Sequence, residues 1–372
     1  MPEIWLRYGT TDVVLDIKYE NLLKHISSNF QLLTDDEIRL YLSDIVLNEH
    51  TVIFALSDSK SVAKVITILV EMARAKGLAN ITINVLPKVE SALRNNLGDN
   101  AHRMKQINYE SFHNAIGKFQ TILFISQTTY DPLFGFGGSP TVLLRNYMNE
   151  HMSEAFNARQ DNLPKPGVKG SPLKIALSNC ESIAATSIEL IANSFGIAKI
   201  CYGNIIEAFQ NAVTQLQSIS TTEVQQAKSA IISSSSELGR HLTLADSLNS
   251  LWNILHIVKE NGSAVLLSEN RQGIGGGALQ MFIEGRLKVG EEQQKSRYIE
   301  GFEHLLYIRE FSHKLDLGIV STLPQYYSET KLGLKAYASM KEVMKDLLIK
   351  HGKNHKVLVL SDPDIIFLKG KL

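Results

Sequence analysis

The chain has 372 residues, 44% of them hydrophobic, which is enough for two ordinary domains that each bury a core. Lys plus Arg and Asp plus Glu stand at 38 each with no long block of one sign, so composition points to a small-molecule partner and away from nucleic acid or a membrane surface. Two cysteines, Cys180 and Cys201, exclude a disulfide framework, and no apolar run approaches the roughly 18 residues of a membrane span, so a cytoplasmic protein is expected.

In chain order, residues 3–8 and 12–17 flank the turn residues Gly9, Thr10 and Thr11 and predict an opening hairpin. Thr34 followed by Asp35, Asp36 and Glu37 predicts a capped helix to about residue 48. Residues 51–56 (TVIFAL) read as a buried strand, 57–61 as a polar loop, 62–76 as an amphipathic helix stopped by Gly77, and 81–86 as the next strand. Strand, loop, helix and strand form a right-handed crossover in a parallel sheet, whose ligands sit beyond the carboxyl ends of the strands. Residues 157–170, with Pro164 and Pro166, predict a long surface loop, and 204–217 a helix. Beyond a linker near Ser218, strands are expected at 229–232, 263–268, 317–322 and 357–360, a polar loop at 233–236, and helices at 245–260 and 339–350. The fold class is α/β: two α/β domains, 1–217 and 218–372, with largely parallel sheets and a cleft between them.

The stretch 120–146 carries the most functional information. Residues 121–126 read as a strand buried on both faces, and Gly135, Gly137 and Gly138 follow. Glycines there permit positive φ and leave N–H groups uncovered, so the loop can approach an anion or can equally be a tight turn. Asp131, between Tyr130 and Pro132, reads as a turn residue that bonds its own backbone, not as a metal ligand. No Gly-x-Ser-x-Gly elbow and no Walker A ending exist, and the glycines at 273–277 do not fit the dinucleotide pattern. His351 and His355 stand four apart beside Gly352 and read as surface histidines, since no His-Glu-x-x-His accompanies them.

Several blocks in order resemble the lactate racemase family, whose members use a nickel-pincer nucleotide to exchange a hydride with a 2-hydroxy acid. Tyr8-Gly9 is similar to its opening, Leu56-Ser57-Asp58 to its Ser-Asp loop, and Gly135-Phe136-Gly137-Gly138 to its Gly-Phe-Ser-Gly-Gly loop. Asn157-Ala158-Arg159, Gly170-Ser171-Pro172, residues 269–275 and residues 317–321 also have counterparts. The resemblance implies a two-domain α/β fold and cofactor-binding roles for Asp58, Lys60, Gly135, Gly137, Gly138 and Thr141. The chain departs from the pattern at several of its reactive positions. Asp131 stands where the family has a histidine, Thr141 where it has the lysine that tethers the cofactor, and Ser61, with Lys60 beside it, where it has an arginine. The family's Gly-Thr-His-Arg block falls near 86–89 and its Gln-x-x-Lys pair near 244–248, without those residues. His151 is the histidine the resemblance offers as a replacement, and so the catalytic candidate; no residue is assigned to a metal.

Racemisation by hydride exchange needs an acceptor cofactor and a base on each face of the carbon. A threonine hydroxyl cannot form the thioamide that a lysine amine forms, so no covalently tethered nickel-pincer nucleotide is expected and the cofactor stays unassigned. Two readings stand: a racemase or isomerase acting on a small 2-hydroxy acid, and a catalytically degenerate relative that binds a small anionic ligand or nucleotide.

Overall fold

The computed structural model describes residues 3–371 apart from 79, 117, 160–162, 164, 235–240 and 291–297. Part of the loop expected at 157–170, including Pro164, and Ser235 and Ser236 of the polar loop lie outside the described residues. The chain opens with the antiparallel hairpin β1 (Glu3–Tyr8) and β2 (Thr11–Asp16), followed by β3 (Leu22–Ile26). Next come α1 (Asp35–Leu42), β4 (Thr51–Ala55), α2 (Lys60–Ala75), β5 (Thr82–Val85), α3 (Pro87–Leu97), β6 (Met104–Gln106), α4 (Tyr109–Ile116) and β7 (Thr121–Gln127). A short ribbon, β8 (Thr129–Asp131) and β9 (Gly135–Gly137), leads into α5 (Ser139–Tyr147), α6 (Asn149–Asn157) and α7 (Ser171–Ser178). A second hairpin, β10 (Thr186–Asn193) and β11 (Gly196–Asn204), precedes α8 (Ile205–Ser220). The remainder is β12 (Thr221–Val224), β13 (Ala227–Ser233), α9 (Leu244–Trp252), β14 (Val258–Leu267), α10 (Ala278–Ile283), α11 (Phe302–Phe311), β15 (Asp316–Val320), β16 (Lys335–Tyr337), α12 (Met340–His351), β17 (Val357–Ser361) and β18 (Phe367–Gly370).

Two six-stranded sheets carry the fold, in the orders β11-β10-β7-β4-β5-β6 and β16-β15-β14-β13-β17-β3. Every pairing in both is parallel except β10 with β11, an antiparallel edge hairpin whose strands are too close in sequence for a crossover. All five residues of β4 are buried, as a central strand covered on both faces requires. Thr34 caps α1 reciprocally with Glu37, but the helix stops at Leu42, well short of residue 48, with the Ser43 hydroxyl bonded back to the Leu40 carbonyl. The helix expected at 245–260 is likewise shorter: α9 ends at Trp252, and β14 already runs from Val258, its early part turned at Asn261 with positive φ.

Sheet membership does not follow chain order. β3, from the first 26 residues, forms the far edge of the second sheet beside β17, and Ser218 lies in the last turn of α8, not in an extended connection. The apolar core is divided in the same way. One cluster packs β4, β5, β7 and α2 around Phe54, Phe112 and Phe124, while Phe134, Phe136, Leu144 and Phe156 join Trp252, Leu279, Phe302 and Leu358 beneath the second sheet. The opening hairpin covers the other face of that sheet, with Leu6 and Leu15 against Ile231, Val265 and Val359.

The two sheets meet carboxyl edge to carboxyl edge. The Tyr130 amide just past β7 donates to the Asp364 carbonyl just past β17 (2.8 Å). The Asn193 side-chain amide at the end of β10 reaches Ser28 Oγ beyond β3 (3.1 Å). Counting outward from these two contacts, the strand orders set β4 opposite β13 and β5 opposite β14. An exposed ion pair fits this count, because Lys88 just beyond β5 lies 3.3 Å from Glu300, whose carbonyl receives the first amide of α10.

Candidate functional site

The glycine turn is closed on itself. Residues 135–137 pair with 129–131 as a buried antiparallel ribbon, and the Gly135 carbonyl accepts from Gly167. Gly135 has φ +82°, and a Cβ there would lie 2.0 Å from the Val168 carbonyl oxygen, so close backbone approach and not ligand contact requires this glycine. A Cβ at Gly137 would meet the Thr129 hydroxyl at 3.0 Å, and one at Gly138 would meet Phe209 at 2.6 Å and the Glu189 carboxylate at 2.9 Å. Thr141 is buried, and its hydroxyl is spent on its own helix cap, accepting from the Gly138 amide and facing the Gly138 carbonyl, each at 3.0 Å.

The anion at this turn is the protein's own. Glu189, fully buried in the middle of β10, accepts from the Ser139 amide at the start of α5 (2.9 Å), the Thr128 hydroxyl (2.8 Å) and the Ser187 hydroxyl (3.1 Å). Burial pushes its carboxyl above the usual range, and the donors from Ser139, Thr128 and Ser187 offset only part of that. A second carboxylate works beside it. Asp131 accepts from the amides of Leu133 and Phe134 (2.8 and 2.7 Å), the turn role expected of it, and also holds Arg145 at 3.1 Å. The same guanidinium reaches Glu303 on α11 at 2.8 Å, and Tyr298 donates to Glu303 at 3.0 Å, so this nearly buried set ties α5 to the helices under the second sheet. Burial alone would hinder ionisation of Glu303; Arg145 overrides it and holds the carboxyl below its ordinary value.

His151 stands apart from the turn. It is exposed on α6, 3.5 Å from Glu154, and lines a surface cavity of about 340 Å³ with Phe112, Tyr147 and Asn179. Phe112 and Asn179 belong to segments that lead into the amino ends of β7 and β10, and Tyr147 is the far end of α5, whereas residues 135–138 follow the carboxyl end of β7. Asp58 and Lys60 do lie at the carboxyl edge, directly after β4, half-buried and exposed respectively, with Ser59 capping α2 between them. The structure therefore brings Asp58, Lys60 and the three glycines to one edge of one sheet and leaves His151 at the other.

A different set of atoms marks the facing edges. The buried side-chain oxygens of Ser57 after β4, Ser126 on β7, Ser234 after β13 and Glu269 after β14 have no hydrogen-bond partner. A buried polar group without a partner costs about 1–3 kcal/mol, so these oxygens need partners that an ordered water or a bound ligand can supply. The opening hairpin completes this edge: the Ser233 hydroxyl donates to the Arg7 carbonyl, and Gly9, at φ +60°, lies under Glu269 so closely that a Cβ would fall 1.7 Å from its carboxylate. Burial, and then the Glu269 charge, push the Tyr8 phenol above its ordinary value. The adjacent Tyr8 and Gly9 so share one corner with Glu269, from the far half of the chain. Sequence reasoning passed over Glu189, Arg145, Ser234 and the carboxylate of Glu269; the available signal for the first two was a lone charge inside an apolar run, SIELIA and VLLRNY.

The cofactor that the resemblance implies can be tested against these residues, and they do not fit it. The position of the tether carries a hydroxyl turned into a helix cap, and the turn's anion position is filled by Glu189.

No family model matches the chain, and no curated protein matches it by sequence. Among solved structures, the lactate racemase apoprotein from Thermoanaerobacterium thermosaccharolyticum superposes with a TM-score of 0.76 over 99% of this chain and 100% of that one, at 12% identity. The fold is that of lactate racemase. A Thermotoga maritima protein is similar over 91% of this chain and 99% of its own, with a TM-score of 0.63 and 11% identity. At such identities the likeness establishes the lactate-racemase-like fold and no more. Among the described residues, no helix is long and apolar enough to cross a membrane.

Proposed function

We propose that this protein binds a small hydroxylated carboxylate, of the size of a 2-hydroxy acid, between the facing carboxyl edges of its two sheets, and leaves its configuration unchanged. The observation that carries this reading is the set of three orphaned oxygens at Ser57, Ser234 and Glu269, just past β4, β13 and β14. Glu269 can only accept, so it asks for a ligand O–H or N–H, while serine hydroxyls can donate to a ligand carboxylate. A 2-hydroxy acid carries both groups within a few bonds.

The extent of the lactate-racemase-like fold favours a second reading, racemisation or isomerisation of such an acid by hydride exchange. Against it stand the residues that the resemblance would put to work, since Thr141 is committed to its cap and His151 lies at the other end of the sheet. Incubating protein purified from its native host with L-lactate and with D-lactate, followed by equilibrium dialysis and chiral chromatography, separates the two. Saturable binding without inversion, and an intact mass equal to that of the bare chain, are expected. Protein-dependent inversion would install the second reading, and absence of saturable binding to either enantiomer would remove the first.

A further inference from the structure

The anion position of the glycine turn has an unusual occupant. A helix start preceded by glycines offers amide donors and a favourable dipole to an anion. Here α5 directs the Ser139 amide at Glu189, and the Thr128 and Ser187 hydroxyls close around the same carboxylate, with the Ser139 hydroxyl 2.8 Å from that of Ser187. The carboxylate arrives from β10, in register with Ser126 on β7. Ladder partners share a face of the sheet, so the buried, unpartnered Ser126 hydroxyl looks onto the same place. Donors therefore converge on one buried point from α5, from β10 and from the link just past β7, and one hydroxyl is left over.

We propose that Glu189 is an intramolecular stand-in for a bound oxoanion, so that the natural turn is shut to phosphate and deleting the Glu189 side chain opens a site for a small carboxylate ion. The backbone there is already shaped around a carboxylate, because neither Gly138 nor its surroundings leave room for more: Phe209 and Glu189 fill the volume a Cβ would take. This inference is independent of the ligand proposed between the sheet edges, which approaches from the strand ends and does not need the turn.

Chemical rescue tests it. Glu189→Ala should melt below the wild type, and sodium formate at ten times its dissociation constant should raise the melting temperature of the variant by about 2 °C over the same ionic strength of sodium chloride. The wild type should show no formate-specific rise, and neither should Glu189→Gln, whose amide keeps the space filled. Where Glu189→Ala does not fold in chloride, refolding in formate should recover it. Inorganic phosphate added to the ¹⁵N-labelled wild type should leave the Gly138 and Ser139 amide resonances in place. Equal melting of Glu189→Ala in formate and chloride, failure to recover it in either salt, or phosphate-induced shifts at those two amides would each overturn the proposal.

Discussion

Two regions at the carboxyl edges of this molecule have opposite polar balances. At residues 135–141 the glycines, the threonine and the helix start are matched to partners within the chain: the ribbon with β8, the Thr141 cap and the Glu189 carboxylate. Across the edge, around Tyr8, Ser234 and Glu269, buried oxygens are left without partners. The first region looks like a ligand loop in sequence and is a folded joint; the second has no motif and keeps the unmet hydrogen-bonding capacity. Glycine content reports where backbone comes close, whether to a ligand or to the protein itself, and only the fate of the donors distinguishes the two.

The largest test of this contrast is Arg145. Replacing it with Met leaves the buried Glu303 and the part-buried Asp131 without their cation, so a loss of about 3–5 kcal/mol in urea unfolding is expected, and a loss under 1 kcal/mol would show that the joint is not held as described.

Next in size is an acid effect at the opposite, amino edge of the second sheet, where serine hydroxyls do have partners. Ser229 Oγ lies 2.6 Å from His355 Nε2, and Ser263 Oγ 3.0 Å from His351 Nε2. Only 8% of His355 is exposed, which corrects the surface reading: the residue lies beyond the end of α12 and is folded back over the start of β13. Burial, and then His351 and Lys228, bring its pKa down to about 4, and burial with Lys350 and Lys228 lowers that of His351. A base whose folded pKa is depressed binds more protons when unfolded, so its contribution is complete above the ordinary histidine value and is lost as pH falls towards 4. About 2–3 kcal/mol should disappear between roughly pH 6.5 and 4, and His355→Gln should flatten that part of the stability profile. An unchanged slope would contradict the pairing.

Gly138→Ala comes third. Its new methyl meets Phe209 and Glu189, so about 1–3 kcal/mol should be lost with no change in affinity for a hydroxy acid; weakened binding with intact stability would return the turn to the ligand site. The smallest expected effect on stability is that of Ser234→Ala. Deleting an orphaned hydroxyl should change unfolding by less than about 1 kcal/mol in either direction, while raising the Kd for a hydroxy acid about tenfold, the equivalent of one ordinary hydrogen bond.

How much of this was legible beforehand divides along local and distant information. The buried strands at 51–55 and 121–127, the Thr34 cap and the α/β class were readable because each depends on a few adjacent residues. That Asp131 bonds its own backbone was readable for the same reason. The occupant of the glycine turn was not, since Glu189 is 50 residues from the amide it accepts. Nor was β3, which finds its neighbour β17 only at the other end of the chain, or the burial of His355, whose hydroxyl partner is 126 residues away. His151 is offered by the resemblance alone, as a replacement histidine, and α5 and α6 carry that position away from the edge where the other candidates meet.

The most direct test of the central claim is hydrogen–deuterium exchange of the wild-type protein with and without saturating L-lactate. New protection is expected in peptides covering 56–60 and 265–272, on the two facing edges, with residues 135–141 unchanged. Protection confined to 135–141, with the two edge peptides exchanging as before, would contradict it.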